Sequence, residues 1–369
     1  MKIFINASNI HVGGGAQVAL SFINFLFRYD CHEFIIVISS KINDQLKHEK
    51  IPENVKLVKL DFGIKEWLKG KSKILHKLEK NINPNVVFTI FGPSYWTPKS
   101  PHLMGFAMPW LINPGSKAFS ELGTKNWIKK KLQNTIKTYF TKKNTCTFVV
   151  ETEDVKQRLK QYFKVPLENT WVVDNTYNQH FNNVVVQPTK QSEFFELITI
   201  TANYPHKNLK IIKKVIPILK SRGLKVRFTL TIPSTDFENM FGGENEYVRN
   251  LGPISSKDCP KYYNQSDALF LPTLLECFTA SYPEAMVMKR PILTSDLPFA
   301  KQICKEGNAL FFDPLNPEEI ANQIENLVNN DHLYDELVKN GLKRVKEYMT
   351  SEQRAEAYIS ILEKLGQKA

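Results

Sequence analysis

Two glutamates lie eight positions apart, between an apolar segment and a segment with the features of a helix start. Glu276 and Glu284 follow the apolar run 268–271, which has the length and composition of a buried strand. Ser281, three residues before Glu284, predicts a helix N-cap with Glu284 as the reciprocal half of a capping box. Both carboxylates would then lie at the carboxyl end of a strand, where open α/β sheets bind ligands. Carboxylates suit sugar hydroxyls as strong hydrogen-bond acceptors, although the spacing alone fits a purely structural role equally well.

The wider sequence around these glutamates resembles the EX7E region of a large family of retaining glycosyltransferases, known as family 4 or group 1. The resemblance covers nearly the whole chain and extends to bacterial surface-polysaccharide glycosyltransferases. Other fragments stand in that family's order and spacing: Gly13-Gly-Gly15, Val172-Val-Asp-Asn175, Leu251-Gly-Pro-Ile254, Leu293-Thr-Ser-Asp296 and Ala309-Leu-Phe-Phe-Asp-Pro314. The resemblance implies the α/β fold called GT-B, in which two Rossmann-like parallel-sheet domains face each other across a cleft. It also implies that the carboxy-terminal domain binds the nucleotide-sugar donor and the amino-terminal domain the acceptor.

The resemblance assigns catalytic roles to Lys207 and Glu276. Negative charge grows on the phosphate that leaves the sugar, so a fixed cation should face it. Lys207 follows an apolar segment at a helix start and would be this cation, while Glu276 would bind the donor sugar hydroxyls. Family members usually carry an Arg five or six residues before the Lys, where this chain has Thr201 and Ala202.

Further residues are implied as donor ligands. Glu284 would bind the ribose, backbone N–H groups of the loop between the glutamates would bind the sugar and diphosphate, and main-chain groups near Ile254 would contact the nucleobase. Either Asn203 or Tyr204 would partly replace the missing Arg, or another cation would reach the site. The family often has glycines where this chain has Cys277 and Thr279. The complete set of implied donor-binding residues is Glu284, Phe278, Thr279, Ala280, Asn203 and Ile254.

A run of three glycines follows the first apolar segment. Gly14 and Gly15 would open a helix after a strand, which suits a loop close to a phosphate or an acceptor. The run is not GxGxxG, because Val18 occupies the last glycine position, so a dinucleotide-binding dehydrogenase is not expected. His102 lies at the wrong end of its predicted strand to be the histidine that family members use, and His11 near the glycines has no stronger support.

Apolar segments and helical patterns alternate along the chain, which predicts parallel sheets. We expect an amino-terminal domain over residues 1–175, completed by a carboxy-terminal helix at about 352–369, and a donor-binding domain over 185–351. The boundary is expected at 175–190, where Asn, Gln, Pro and Thr accumulate. With no run of eighteen apolar residues, no signal-peptide pattern and no CxxC, a reduced cytoplasmic protein is the expected class.

The charge is concentrated in the first half of the chain. Residues 1–175 contain 26 Lys and Arg against 14 Asp and Glu, whereas 176–369 contain 23 of each. Lys125–Val150 holds seven lysines and no acid, and Ile128, Leu132, Ile136, Tyr139 and Phe140 recur there at helical spacing. We expect this apolar stripe to pack on the core and the lysines of Lys125–Lys143 to face an anionic membrane surface, with a diphosphate-bearing acceptor as the alternative partner. Another basic segment is 65–80. Nucleic acid is not an expected partner, because no recognised binding module accompanies the charge.

The resemblance therefore implies a retaining glycosyltransferase that moves a sugar from a nucleotide-sugar donor to a glycan acceptor in the biosynthesis of a surface polysaccharide such as O-antigen or capsule. The basic first half of the chain indicates that the acceptor is attached to lipid at the inner face of the plasma membrane. We find no HExxH, paired cysteines or DxD, and expect neither a metal nor another cofactor. Two alternatives stay open: a nucleotide-sugar epimerase or phosphorylase on the same fold, and a non-catalytic subunit that binds donor or partner.

Overall fold

The computed structural model describes residues 1–11, 13–70, 72–187 and 193–367. The chain divides into two compact units, one comprising residues 1–112, 128–175 and 349–369 and the other 113–127 and 176–348. The predicted α/β class, with two parallel sheets, is confirmed. The break after Asn175 lies at the start of the predicted boundary, whose last residues, 188–190, are outside the described ones. Residues 113–127 fall in the second unit, although the sequence placed them within the first domain.

The first unit contains a seven-stranded parallel sheet. Its order is β3-β2-β1-β4-β5-β6-β7, so the direction of strand addition reverses between β1 and β4. The strands are short apolar runs because helices cover the sheet on both faces. Their bounds are β1 Lys2–Ala7, β2 Glu33–Ile38, β3 Val55–Lys59, β4 Val86–Thr89, β5 His102–Gly105, β6 Thr147–Val150 and β7 Thr170–Val172.

The helices of this part of the chain follow the strands in turn. They are α1 Gly14–Leu26, α2 Ser40–Gln45, α3 Ile64–Leu68, α4 Ser72–Ile82, α5 Pro109–Ile112, α6 Thr124–Asn144 and α7 Glu153–Arg158. The last of these continues as a π-helical turn, Leu159–Phe163. Helix α1 buries its apolar face on one side of the sheet. Residues of α4 and α6 form a second cluster on the other side, which includes Leu75 and Phe140.

The second unit contains a six-stranded parallel sheet in the order β10-β9-β8-β11-β12-β13. Two clusters of buried apolar side chains pack on it. The strands are β8 Phe195–Thr199, β9 Val226–Leu230, β10 Val248–Asn250, β11 Ala268–Leu271, β12 Ile292–Ser295 and β13 Leu310–Phe312. The helices are α8 Ile212–Ser221, α9 Ser234–Phe241, α10 Cys259–Tyr263, α11 Ser281–Val287, α12 Pro298–Cys304, α13 Pro317–Val328 and α14 Asp331–Val345.

The last helix, α15 (Ser351–Gly366), packs in the first unit. It begins with a capping box formed by Thr350 and Gln353. The Tyr358 ring meets that of Phe22 edge to face, with centroids 5.5 Å apart. The buried Arg354 guanidinium donates to Asn175 Oδ1 and, at 3.1 Å, to Ser21 Oγ. None of the helices in the described residues is long and apolar enough to span a bilayer.

Candidate functional site

The sheet of the second unit reverses its strand order between β8 and β11. These strands pair side by side, with Leu269 opposite Ile198, while later strands extend the sheet in opposite directions from them. The helices that follow these strands, α8 and α11, therefore pack in different apolar clusters on opposite faces of the sheet, while the loops that leave β8 and β11 meet at its edge. Such a switch point is where open α/β sheets bind ligands. Lys207 and Glu276 lie on these two loops.

The loop after β8 ends in a 3-10 turn, Pro205–Lys207, that holds Lys207 in place. Asn208 follows with φ of +56°, a left-handed conformation that Asn tolerates better than most residues. Its buried side-chain amide donates to the Pro314 carbonyl at 2.8 Å, which anchors the end of the turn. The Lys207 backbone is therefore fixed, although its side chain is partly exposed.

Glu276 contacts Lys207 directly. The Lys207 ammonium donates to Glu276 Oε1, and these side chains are only 12% and 11% exposed. Thr273, fully buried, has its hydroxyl 3.0 Å from the same Oε1 and 3.2 Å from the His206 carbonyl. The Leu274 N–H also donates to the His206 carbonyl at 2.7 Å. The two loops thus form one hydrogen-bonded unit that presents a paired cation and anion.

The backbone between the glutamates offers donors that are not used internally. In the described parts of the chain, no group accepts a hydrogen bond from the N–H of Phe278, Thr279 or Ala280. Cys277 and Thr279 stand where the resemblance leads one to expect glycine, yet neither has a positive φ. Both side chains are buried, so the loop accommodates them without left-handed backbone.

Glu284 lies in the first turns of α11, partly exposed. The predicted capping box is wrong, because α11 begins at Ser281 itself, Ala280 is its N-cap, and no side chain caps it. The Glu284 side chain instead approaches the buried Tyr263, whose hydroxyl is 3.4 Å from Glu284 Oε2. Burial raises the pKa of Glu284 to about 7, and the Tyr263 hydroxyl opposes this shift by stabilising the carboxylate.

The remaining predicted donor residues are less closely grouped. Asn203 lies on the same loop as Lys207, four residues before it. Ile254 lies on the loop after β10, and β9 lies between β10 and β8 in the sheet. The Ile254 side chain packs on the apolar cluster beneath α11. The structure therefore brings Lys207 and Glu276 into contact. Residues 278–280 and Glu284 follow Glu276 on the same segment. Ile254, by contrast, lies on the loop after a more distant strand.

The glycine loop belongs to the first unit. Helix α1 begins at Gly14, preceded by Gly13 with φ of +76°, a conformation that favours glycine. A side-chain carbon on Gly14 would meet nothing within 4 Å, whereas one on Gly15 would touch the Phe91 ring at 3.4 Å. Val12 lies outside the described residues. Open space therefore borders the loop at Gly14 but not at Gly15.

The two candidate histidines differ in their surroundings. His102 is buried, with Nε2 2.9 Å from the Thr89 hydroxyl and Nδ1 3.0 Å from the Asn144 carbonyl. Burial lowers its pKa to about 4, so the ring is neutral and structural. His11 is half exposed and pairs with Asp61 at 3.7 Å. In the part of the chain that the structure describes, no cluster of three His, Cys, Asp or Glu side chains could hold a metal ion.

Sequence reasoning missed two residues that support the glutamates. Thr273 follows a buried strand by two positions, and a hydroxyl at a strand end is a signal that could have identified it. Tyr263 lies on α10, outside every motif, and its approach to Glu284 depends on tertiary packing alone.

Comparisons with known proteins give a family match for part of the chain. The family described as Glycosyl transferases group 1 matches residues 196–330, which contain Lys207, Glu276 and Glu284. A search of curated proteins finds no significant match.

Three solved structures show the fold of the whole chain. Sucrose-phosphate synthase from Thermosynechococcus elongatus has 12% identity and a TM-score of 0.75, covering 100% of both chains. HepE from Anabaena, solved with UDP-glucose, has 14% identity and a TM-score of 0.71, covering 98% of this chain and 100% of its own. WaaG, a glycosyltransferase involved in lipopolysaccharide biosynthesis, has 11% identity and a TM-score of 0.70, covering 98% and 99%. Residues 196–330 thus carry a group 1 glycosyltransferase family domain, and the chain has the fold of GT-B glycosyltransferases.

Proposed function

We propose that the protein is a retaining glycosyltransferase of family 4 that transfers a sugar from a nucleotide-sugar donor to a glycan acceptor. The observation that carries this proposal is the contact between Lys207 and Glu276. It lies at the switch point of a sheet whose residues match the group 1 family. A cation and a carboxylate side by side suit a ligand that is anionic at one end and hydroxylated at the other.

The donor would lie along the two loops. Lys207 and the free N–H groups of residues 278–280 would face the diphosphate, whose charge grows as the bond to the sugar breaks. Glu276 would accept hydrogen bonds from the sugar hydroxyls and Glu284 from the ribose. Asn203 would add a polar contact beside Lys207, and main-chain groups near Ile254 would border the nucleobase. Gly14 and Gly15 in the first unit would serve the acceptor or a phosphate.

The diphosphate needs no divalent ion in this arrangement. Lys207 and the loop N–H groups supply the positive potential that a metal provides in other transferases. We therefore propose that the reaction is independent of metals and needs no other cofactor.

The acceptor is proposed to be lipid-linked because of the surface of α6. The apolar residues Ile128, Leu132 and Tyr139 are 58%, 63% and 55% exposed, which corrects the expectation that this stripe packs on the core. Spacings of four and seven residues place all three on one side of the helix. Only Phe140 at the far end is buried, and Ile136 is partly so.

Exposed lysines flank this stripe along both sides, at positions 125, 129, 131, 142 and 143. A helix with an apolar face bordered by lysines is typical of segments that lie in the plane of a membrane. Each lysine near an anionic leaflet contributes about 1 kcal/mol. Helix α3 extends the surface, since Trp67 packs on Phe140 and Leu68 is 71% exposed. Lys71 of the second basic segment lies outside the described residues.

Membrane binding is tested by sedimentation with vesicles. We expect wild-type protein to sediment with vesicles containing phosphatidylglycerol but not with pure phosphatidylcholine, and less at high salt. The variant Ile128→Ser/Leu132→Ser should lose binding at every salt concentration, whereas Lys339→Ala on α14, an exposed control, should bind as wild type. Equal sedimentation of the serine variant would refute the role of the stripe.

The proposed reaction is tested by turnover of nucleotide sugars. We expect release of a nucleoside diphosphate from one member of a donor panel in the presence of acceptor. Lys207→Ala, Glu276→Ala and Glu284→Ala should each reduce turnover by at least tenfold. Near-wild-type rates for all three would end the assignment, and donor binding without turnover across an acceptor panel would favour a non-catalytic subunit instead. Consumption of donor to an isomer, without acceptor, would favour an epimerase.

A further inference from the structure

A short segment between α5 and α6 packs in the second unit beside the Lys207 turn. It contains a 3-10 turn, Lys117–Phe119, that lies against the turn Pro205–Lys207. The Ser116 hydroxyl caps the first of these turns by accepting from the Ala118 N–H at 3.2 Å, and it donates to the Leu274 carbonyl at 3.4 Å. Ala118 is fully buried. The backbone of the segment is therefore anchored on the loop that carries Glu276.

Lys117 opens this turn and is exposed. In the described residues no carboxylate lies within ion-pair distance of its exposed ammonium, and Glu121, four positions later, does not pair with it. The charge of Lys207, by contrast, is already balanced by Glu276. Within the described part of the chain, one of these neighbouring turns therefore carries a lysine paired with a carboxylate and the other a lysine that makes no ion pair.

We propose that Lys117 is the second cation of the diphosphate site. This inference rests on the proposed function and adds a residue to it. When the bond between the anomeric carbon and the diphosphate oxygen breaks, its electron pair stays on that oxygen. The acceptor hydroxyl forms the new bond to carbon and passes its proton to the departing phosphate oxygen. Lys207 is paired with Glu276 and the loop N–H groups carry only partial charges, so a second lysine on the adjacent turn would add a full positive charge beside the diphosphate.

The experiment measures nucleotide affinity by calorimetry, with no turnover required. UDP, GDP, ADP and TDP are compared with their parent nucleosides, and the tightest pair is kept for the variants. We expect Lys117→Ala to weaken diphosphate binding about tenfold, with unchanged nucleoside binding, because it removes a charge contact to the phosphates alone. Lys117→Arg should restore most of the affinity, and the remote Lys339→Ala should bind as wild type.

The outcomes separate this inference from the proposed function. If Lys117→Ala binds the diphosphate as tightly as wild type while Lys207→Ala binds it weakly, Lys117 is not a ligand and the donor site stands. Equal loss of diphosphate and nucleoside affinity in Lys117→Ala would also overturn the inference, since it would indicate a structural role. If wild-type protein prefers no diphosphate over its nucleoside, both proposals fail.

Discussion

The pairing of Lys207 with Glu276 makes stability and ligand binding respond differently to the same substitutions. Both side chains are nearly buried, at 12% and 11% exposure. Lys207→Met leaves the Glu276 carboxylate without its cation, and Glu276→Gln leaves the Lys207 ammonium without its anion. Breaking a buried pair by removing one partner costs about 3–5 kcal/mol. Residual solvent and the Thr273 hydroxyl reduce the expected loss here to about 2–3 kcal/mol for each single variant.

The double variant should recover most of this stability, because no uncompensated charge remains. We expect its free energy of unfolding to lie within about 1 kcal/mol of wild type, which gives a coupling energy of at least about 3 kcal/mol. For a unit of this size, each kcal/mol shifts the midpoint of thermal unfolding by roughly 2–4 °C. Differential scanning calorimetry should therefore show losses of about 4–12 °C for the single variants and little for the double.

Nucleotide binding should follow a different order. Glu276→Gln frees the charge of Lys207, so it should bind a nucleoside diphosphate at least as tightly as wild type while losing turnover of the nucleotide sugar. Lys207→Met and the double variant should bind the diphosphate at least tenfold more weakly. Two results would contradict this coupling. One is a loss of unfolding free energy in the double variant equal to the sum of the two single losses, and the other is a lower diphosphate affinity in Glu276→Gln.

Two other predictions concern pH and metals. The pKa of Glu284 is raised to about 7 by burial, so the folded state binds its proton more tightly than the unfolded state. Its contribution to stability therefore falls as pH rises from about 4.5 through 7. Glu284→Gln should have the same free energy of unfolding as wild type at pH 4 and a free energy higher by on the order of 1–3 kcal/mol at pH 8. An unchanged difference between the two proteins across this range would count against the burial of the carboxyl. Excess EDTA should leave turnover intact, and abolition restored by a divalent ion would contradict the proposed metal independence.

Much of the fold follows from local patterns. Short apolar runs alternate with amphipathic segments, and parallel sheets covered on both faces are what such runs build. The strand before Glu276 was predicted at 268–271 and is found there as β11. The three-residue strand β7, Thr170–Val172, was not predicted, since so short a run carries little periodic signal.

Two predictions were wrong because they concern features that depend on neighbouring elements: the first residue of α11 and the side of α6 that is buried. Ser281 and Glu284 have capping-box spacing, but α11 begins one residue too early for Ser281 to be the N-cap. On α6, periodicity identified a stripe without showing which side meets the core. The inward positions there carry Lys130, which lies over the Trp110 ring at 4.4 Å, and Lys137. Burial lowers the pKa of both lysines.

The part of the site that sequence could not supply depends on distant segments. Lys207 and Glu276 are 69 positions apart, and their contact follows from the pairing of β8 with β11. The contact between the turns Lys117–Phe119 and Pro205–Lys207 depends on the packing of residues 113–127 in the second unit. No sequence motif predicts that placement, because residues 113–127 lie between β5 and β6, which both belong to the first unit.

The measurement that tests the central claim most directly is the affinity of wild-type protein and Lys207→Ala for UDP-glucose and other nucleotide sugars, by calorimetry. We expect saturable binding of at least one nucleotide sugar by wild type and at least tenfold weaker binding by Lys207→Ala. Absence of binding across the panel, or equal affinity of the two proteins, would contradict a donor site at the β8–β11 switch point.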